Sequence, residues 1–528
     1  MRRGFSIRPV LCYLRRVERA QKYTTHQHQH REELPNVKDA RHPFYNYTSG
    51  RWLYNEHLRL SERHLHFNLD ALHLAIAKSV NQHHADIVRF TKLAEGGSYR
   101  VFEAAFRDGL RVIARLPYPC TIPRNYGISS EVATMEFLRL HGLPIPKIFN
   151  WSSSASNEVG SEYIIIERTP GKELEDTWYT MTLRERMAVI EKIVNIEKIL
   201  FDIRFPASRS LFFKDSLDAG VKSVDIPKYD DETDVSGFCI GPSTDYLWWY
   251  QNRHELGANY GPWMDTEELL RAVGERELLW LRRFGKPRYP REPLYREVYN
   301  NQVVDPQVQI NHLLNYLKIA PHLVPQAEEL NVPTIRHPDL SPNNIFISNS
   351  GDITGILDWQ NTTIIPLFLQ AKIPKHFQNY GDDDSENFRR PRLPEDFGAL
   401  SESDKEYEME LYRRRQSCET SFTPPPANHR KNWTELSSAH DPEVHYSTED
   451  SQSCLSREAQ QKEADAQIQQ IREYLGIDIE GWIPSGEFEE ARKKARDLKI
   501  RMLEEADTEE ERWELDVFWP FQDHEEID

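Results

Sequence analysis

The sequence predicts an α+β fold in two unequal lobes, the first small and strand-rich, the second larger and helical. Three observations carry this. Apolar residues run in a strand, strand, helix, strand order between Ile87 and Ile166. From Arg184 onward they recur mostly at helical spacing. And "HPDLSPNNIFISNSGDITGILDWQ", from His337 to Gln360, sets two short apolar runs around Asn349-Ser350-Gly351-Asp352 and brackets them with Asp339, Asn344 and Asp358.

The elements follow in chain order. Residues 1–35 are basic: the first thirty hold a single acid, Glu18, while Arg2, Arg3, Arg8, Arg15 and Arg16 interleave with Phe5, Ile7, Val10, Leu11 and Leu14. This is the composition of a mitochondrial transit segment, so a mitochondrial address is expected. Residues 36–86 form an N-terminal extension with one helix, marked by Leu69, Leu72, Ile76 and Val80. Residues 87–170 form the small lobe. There "SYRVFEAAF" and "LRVIARLP" flank Arg107-Asp108-Gly109, a hairpin signal. "SSEVATMEFLRLHGLPIP" is a helix stopped by Gly142 and Pro144. A buried strand, Tyr163 to Ile166, ends at the Pro170-Gly171 turn.

Residues 171–380 form the helical lobe. Met187, Ile190, Val194 and Ile196 face one way, and a second helix is expected in "QINHLLNYLKIAPHLVP". Between them Trp248, Trp249 and Trp263 favour packing of an inserted segment over lining of a substrate pocket. Residues 381–460 are acidic and rich in Ser and Pro, and read as linker or loop. Residues 461–528 return to helix, with Ile468, Ile471 and Leu475 in phase and a charged helix from Phe488 to Glu505. The closing "VFWPF" is placed to dock on the main body, and this extension offers a surface for protein partners.

Composition excludes some functions. A net charge of −18 argues against nucleic acid as a partner. The five cysteines are scattered without a CxxC pair, which argues against a disulfide framework or zinc site. No apolar run approaches the ~20 residues of a membrane span.

The chemistry gathers at the hairpin. An antiparallel pair with near-equal arms brings its open ends together, so Asn344 and Asp358 should lie side by side with Asp339 on the entering loop. Converging carboxylates repel unless a cation lies among them, and hard oxygens on a short frame suit Mg²⁺. That is the logic of phosphoryl transfer, with one Asp acting on the accepting hydroxyl while an Asn and a second Asp hold metal against nucleotide phosphates. His337-x-Asp339-x-x-x-x-Asn344 has the spacing of a catalytic loop of this kind. The small lobe should then supply nucleotide contacts. Gly96, Gly97 and Ser98 sit where a phosphate-covering turn belongs, Arg115 lies on the next strand, and Glu131 on the helix is its expected ion-pair partner, with Glu136 as the alternative. The segment holding Glu167 and Thr169 is the expected hinge, its backbone facing adenine.

With these residues in place, "HPDLSPNNIF" and "GILDW" are similar to the HGDLHPGNxL and xxIDW strings of the aminoglycoside phosphotransferase family. The similarity runs from about Phe90 to Gln370. A fungal mitochondrial group of that family is resembled more closely, on "YTSGRWLYNE", "EGGSYRVFEAAF", "VIARLPYP" and "GPSTDYLWW". The resemblance implies a bilobal protein-kinase-like fold with ATP and Mg²⁺ between the lobes. By position it implies Asp339 as catalytic base, Asn344 and Asp358 as metal ligands, and Arg115 as phosphate contact where Lys is usual. The function so implied is transfer of the γ-phosphoryl of ATP to a hydroxyl of a small molecule. The alternative is a nucleotide-binding pseudokinase serving as a mitochondrial scaffold, motivated by Arg115 and the acidic tail.

Overall fold

A computed structural model describes residues 42–524 except 229–232, 291–292, 301, 372, 380–381, 388, 395 and 422–446. The expected transit segment, residues 1–35, lies outside the described residues.

The chain enters through a short strand, β1 (Gly50–Trp52), and a helix, α1 (Leu69–Ser79). Asn68 caps α1, its side chain accepting from the Ala71 N–H at 3.2 Å. Five antiparallel strands follow: β2 (Ile87–Glu95), β3 (Tyr99–Phe106), β4 (Arg111–Pro117), β5 (Ile148–Ser152) and β6 (Tyr163–Glu167), in the order β2-β3-β4-β6-β5. Alternation along β3 explains why both faces are covered. Phe102, Ala104 and Phe106 join Phe44, Leu72 and Ile76 in an outer core under α1. Tyr99 and Val101 point the other way, into the core shared with the second lobe. The helix between β4 and β5, α2 (Tyr126–Leu140), is buried from Ile128 to Met135 without a polar stripe, because it lies between this sheet and a second, smaller one.

The second lobe begins at β7 (Lys172–Glu173), then α3 (Glu175–Trp178) and α4 (Leu183–Asp202). Thr182 and Glu185 form a reciprocal capping box at the start of α4. β8 (Ser210–Phe213), β9 (Val224–Asp225) and β10 (Phe238–Gly241) make the smaller sheet, ordered β8-β10-β9. The inserted segment carries α5 (Thr266–Phe284) and α6 (Pro306–Ile319). Trp248 and Trp263 are buried there among Leu269, Leu270 and Ala320, so they pack the insertion. Next come β11 (Pro333–Ile335), the hairpin β12 (Ile345–Ile347) and β13 (Ile353–Ile356), and β14 (Ile364–Pro366). The hairpin adds β7 to its edge, giving β13-β12-β7 just past the joint between the lobes.

The stretch 381–460 is corrected by the structure. It contains a helix, α7 (Glu402–Ser421), packed along α4, and the start of another, α8 (Thr448–Leu475). The acidic reading failed because the charges hide a docking face. Glu410 receives the buried Arg186 at 2.9 and 3.1 Å, and Ser417 and Cys418 are buried beside it.

The C-terminal segment adds β15 (Trp482–Pro484), α9 (Phe488–Glu505) and α10 (Glu509–Val517). β15 pairs antiparallel with β1, Gly50 opposite Pro484. Leu475, Leu498, Trp519 and Phe521 close a separate core with Tyr54 and Leu294. The first and last described segments are therefore built into one body, and "VFWPF" docks through Trp519 and Phe521.

Candidate functional site

The site grows from the feet of the β12–β13 hairpin. Ile345 pairs with Ile356, and the Leu357 N–H donates to the Asn344 carbonyl at 2.9 Å, so Asn344 and the residue after Leu357 are held together. That residue, Asp358, has a left-handed φ of +65°. Backbone of this kind costs about 1–3 kcal/mol in a non-glycine residue and persists only where its surroundings impose it.

His337 supplies part of that imposition. Its Nδ1 accepts the Asp339 N–H at 3.1 Å, and its Nε2 lies 2.7 Å from the Leu357 carbonyl. These two partners require a neutral ring with the proton on Nε2. Burial holds its pKa below the ordinary value, which agrees with that form. The ring meets Trp359 edge-on at 4.4 Å, and Trp359, fully buried, donates from Nε1 to the Ile356 carbonyl. His337 thus ties the Asp339 loop to the strand end that presents Asp358. The Asn344 amide nitrogen donates to the Asp339 carbonyl at 2.8 Å and lies 3.5 Å from Asp339 Oδ2. Its amide oxygen is thereby turned away from that loop.

The first lobe reaches this corner through Arg115. From β4 its Nη1 meets Glu131 Oε1 at 2.5 Å and its Nη2 meets Asp358 Oδ1 at 3.2 Å. The guanidinium lies 4.4 Å over the Tyr99 ring, and the Tyr99 hydroxyl donates to Glu131 Oε2 at 2.7 Å. Burial disfavours the charge on Arg115, but the facing carboxylates more than offset it and raise its pKa. Burial pushes the Glu131 carboxyl up, and Arg115 and the Tyr99 hydroxyl oppose that. A guanidinium does not lose its proton in proteins, so the pair stays ionised.

The glycine turn is tight. The Gly96 N–H bonds the Tyr99 carbonyl at 2.9 Å, and the space beside Gly97 is open. Ser98 is pinned through its carbonyl by Tyr118 N–H and the Thr121 hydroxyl, and its own hydroxyl accepts from Gln360 Nε2 at 3.3 Å. Gln360 lies two residues past Asp358, so the turn is fastened to the second lobe at the edge of the cleft. Glu167 and Thr169 lie at the joint between the lobes. The Glu167 side chain is exposed and accepts from Lys147 N–H, while buried Thr169 packs its methyl against Gly355 of β13. No contact joins either side chain to Asp339, Asn344 or Asp358 among the described residues.

Arg115, Glu131 and Asp358 are therefore brought into direct contact, Asp339 and Asn344 likewise, and Ser98 through Gln360. Tyr99 and His337 complete the arrangement. Tyr99 had a readable signal, since period-two alternation puts it on the same face of the sheet as the cleft residues.

The donor set fits a hard divalent cation. The Asn344 amide oxygen and the second Asp358 carboxylate oxygen supply two neutral or anionic oxygens on adjacent backbone. Two protein ligands suit Mg²⁺, which keeps several waters and shares its shell with phosphate oxygens.

Residues 90–369 match the model of the phosphotransferase enzyme family. A subtelomeric hrmA-associated cluster protein of Aspergillus fumigatus is 29% identical over 511 residues, covering 82% of this chain and 97% of that one. Altered inheritance of mitochondria protein 9 of Yarrowia lipolytica, named as mitochondrial, is 28% identical over 364 residues, covering 64% of this chain and 61% of that one. The Candida tropicalis protein of the same name is 27% identical over 434 residues, covering 72% of this chain and 67% of that one, and these names agree with the address read from the N-terminus. A solved structure of a putative aminoglycoside phosphotransferase from Ralstonia eutropha aligns over 71% of this chain and 100% of its own length, at 11% identity and a TM-score of 0.34, too slight a likeness to carry an argument.

Proposed function

The chain belongs to the phosphotransferase enzyme family, and from that premise we propose that it transfers the γ-phosphoryl group of ATP to a hydroxyl of a small molecule in mitochondria. One observation supports this most: the Asp339 loop and the Asn344–Asp358 corner of the second lobe meet the Arg115–Glu131 pair of the first, more than two hundred residues earlier in the chain.

In this reading Asp339 takes the acceptor proton as its oxygen attacks. Asn344 positions the Asp339 loop through its amide donor and offers its oxygen, with Asp358, to Mg²⁺. When bound, that ion neutralises charge on the nucleotide phosphates. Arg115 orients Asp358 and contributes fixed positive charge at the developing anion. Ser98 and the open turn at Gly96-Gly97 leave room for phosphate beneath the first lobe. Glu167 and Thr169 present hinge backbone to the base.

The test is ADP formation across an acceptor panel with Asp339→Asn as the comparison. Turnover should fall about 10²–10⁴-fold, the contribution of a general base, with nucleotide affinity retained. Equal turnover in Asp339→Asn would sink the role of Asp339.

A second reading has its own observation. Arg115 already forms an ion pair with Asp358, so a nucleotide could bind against the guanidinium with little need for metal. That suits a nucleotide-binding scaffold. ATP affinity that is independent of Mg²⁺, with no turnover on any acceptor, would favour it.

A further inference from the structure

Beside the Asp339 loop the second lobe holds a cavity of about 290 Å³, at the small end of the ligand-site range. Its position is fixed by two relations. α3 packs on the turn Pro342–Asn344, and His376 is within electrostatic reach of Asp339. One wall is aromatic: Trp178 meets Phe377 edge-on at 5.6 Å and His376 at 6.4 Å.

The rest of the lining is polar, with Tyr179, Asn379 and Ser417 beside three cations and one acid. Arg186, Lys375 and Arg414 face a single carboxylate, Glu410. Arg186 is fully buried, takes that carboxylate with both ends of its fork, and lies 5.1 Å over Trp178. That ion pair fastens α7 to α4, and Arg413 and Arg414 add longer contacts to the same carboxylate at 3.6 and 3.4 Å. Arg414 reaches Glu410 only through Nε at 3.4 Å and is exposed. The Lys375 ammonium has no hydrogen-bond acceptor among the described residues. Burial and the nearby arginines lower the His376 pKa, so its ring adds hydrogen-bonding capacity rather than charge at neutral pH. The cavity therefore carries surplus positive charge in a chain of net charge −18. A cationic acceptor such as an amino sugar would meet repulsion there.

We propose that this cavity receives an anionic oxygen group of the phosphoryl acceptor, making the acceptor a hydroxylated carboxylate or phosphate ester. This rests on the phosphotransferase reading above. The Trp178–Phe377 wall packs the carbon skeleton, Lys375 and Arg414 hold the anion, and the hydroxyl is turned to Asp339. The hydroxyl oxygen bonds to the γ-phosphorus, the bond from that phosphorus to the bridging oxygen breaks to release ADP, and the hydroxyl proton passes to Asp339.

The experiment does not depend on turnover. Pyridoxal 5′-phosphate joins an anionic group to a flat aldehyde, and its imine with a lysine amine is fixed by borohydride and located by peptide mapping. In the full chain Lys375 should be modified about tenfold faster by pyridoxal 5′-phosphate than by pyridoxal, as a charge-assisted contact to the phosphate implies. Exposed Lys147, on the first lobe, should show no comparable preference. Arg414→Glu should bring the ratio at Lys375 close to that at Lys147, and Asp339→Asn should leave it unchanged. A ratio at Lys375 equal to that at Lys147 in the wild type, or one that survives Arg414→Glu, overturns the anionic pocket whatever the acceptor panel shows. A high ratio with no ADP formed from any acceptor keeps the pocket and counts against phosphoryl transfer instead.

Discussion

Arg115 and Arg209 are both buried guanidiniums, and they are held in opposite ways. Arg115 lies between Glu131 and Asp358, with Tyr99 beneath it. Arg209 lies 4.9 Å over Trp248 and 4.0 Å over Trp263, and its Nε and Nη2 have no hydrogen-bond partner among the described residues. Burial pushes the Arg209 pKa down to about 9, with distant Asp245 opposing, whereas the carboxylates drive Arg115 the other way. Aromatic faces return about 2 kcal/mol or somewhat more to a desolvated cation. Removing a buried charge costs several kcal/mol only where its partner is left behind. The difference teaches that burial alone does not mark a working arginine. What sets Arg115 apart is its pair of opposed carboxylates, one from each lobe.

Replacing each arginine with methionine should separate the two most widely. Arg115→Met strands the buried Glu131 and should lower stability by about 3–5 kcal/mol, together with loss of ADP formation. Arg209→Met removes an uncompensated charge from a tryptophan cage and should be neutral or stabilising by up to about 4 kcal/mol. Chemical denaturation of both variants checks this, and similar losses in the two would end the contrast.

A smaller effect sharpens the Arg115 side. Tyr99→Phe keeps the ring under the guanidinium but removes the hydroxyl from Glu131. A hydrogen bond to a charged group contributes about 1.5–3 kcal/mol, so the unfolding free energy from chemical denaturation should fall by that amount while Mg²⁺-dependent ATP binding persists. A matched change at Trp263, Trp263→Phe, should leave ATP binding unaltered.

The smallest expected effect is on pH. Burial lowers the pKa of His337, and those of His64, His73 and His376 are lowered as well. Each then binds fewer protons folded than unfolded. The stability they contribute is present above the unfolded value of about 6.5 and is lost as pH falls from there through the folded values. Thermal midpoints should decline between pH 7.5 and 5.5, and His337→Gln should make the decline shallower. A decline equally steep in the variant would remove His337 from the set.

Local patterns were legible without coordinates. The hairpin, its closing Asp358 and the Asp339–Asn344 spacing all lie within one short stretch, and strand pairing alone brings its feet together. The β3–β4 turn was readable for the same reason, with Gly109 at a φ of +93°. The stretch 381–460 was misread because Glu and Arg on α7 resemble a solvated linker until Arg186, more than two hundred residues earlier, is seen to need Glu410. His376 gave no signal, since nothing near it in the chain relates it to Asp339.

The sequence by itself determined the two-lobed α+β plan, the oxygen-bearing corner at the hairpin and the arginine opposite it, because alternation, helical period and short turns act over a few residues. The tertiary structure decided what each charge faces. It added Asp358 to the Glu131 already expected for Arg115, and chose two indole rings for Arg209 and a cation-rich cavity beside Asp339. Those choices depend on packing between segments far apart in the chain, where the cost of burying a charge is settled only by the groups that close around it.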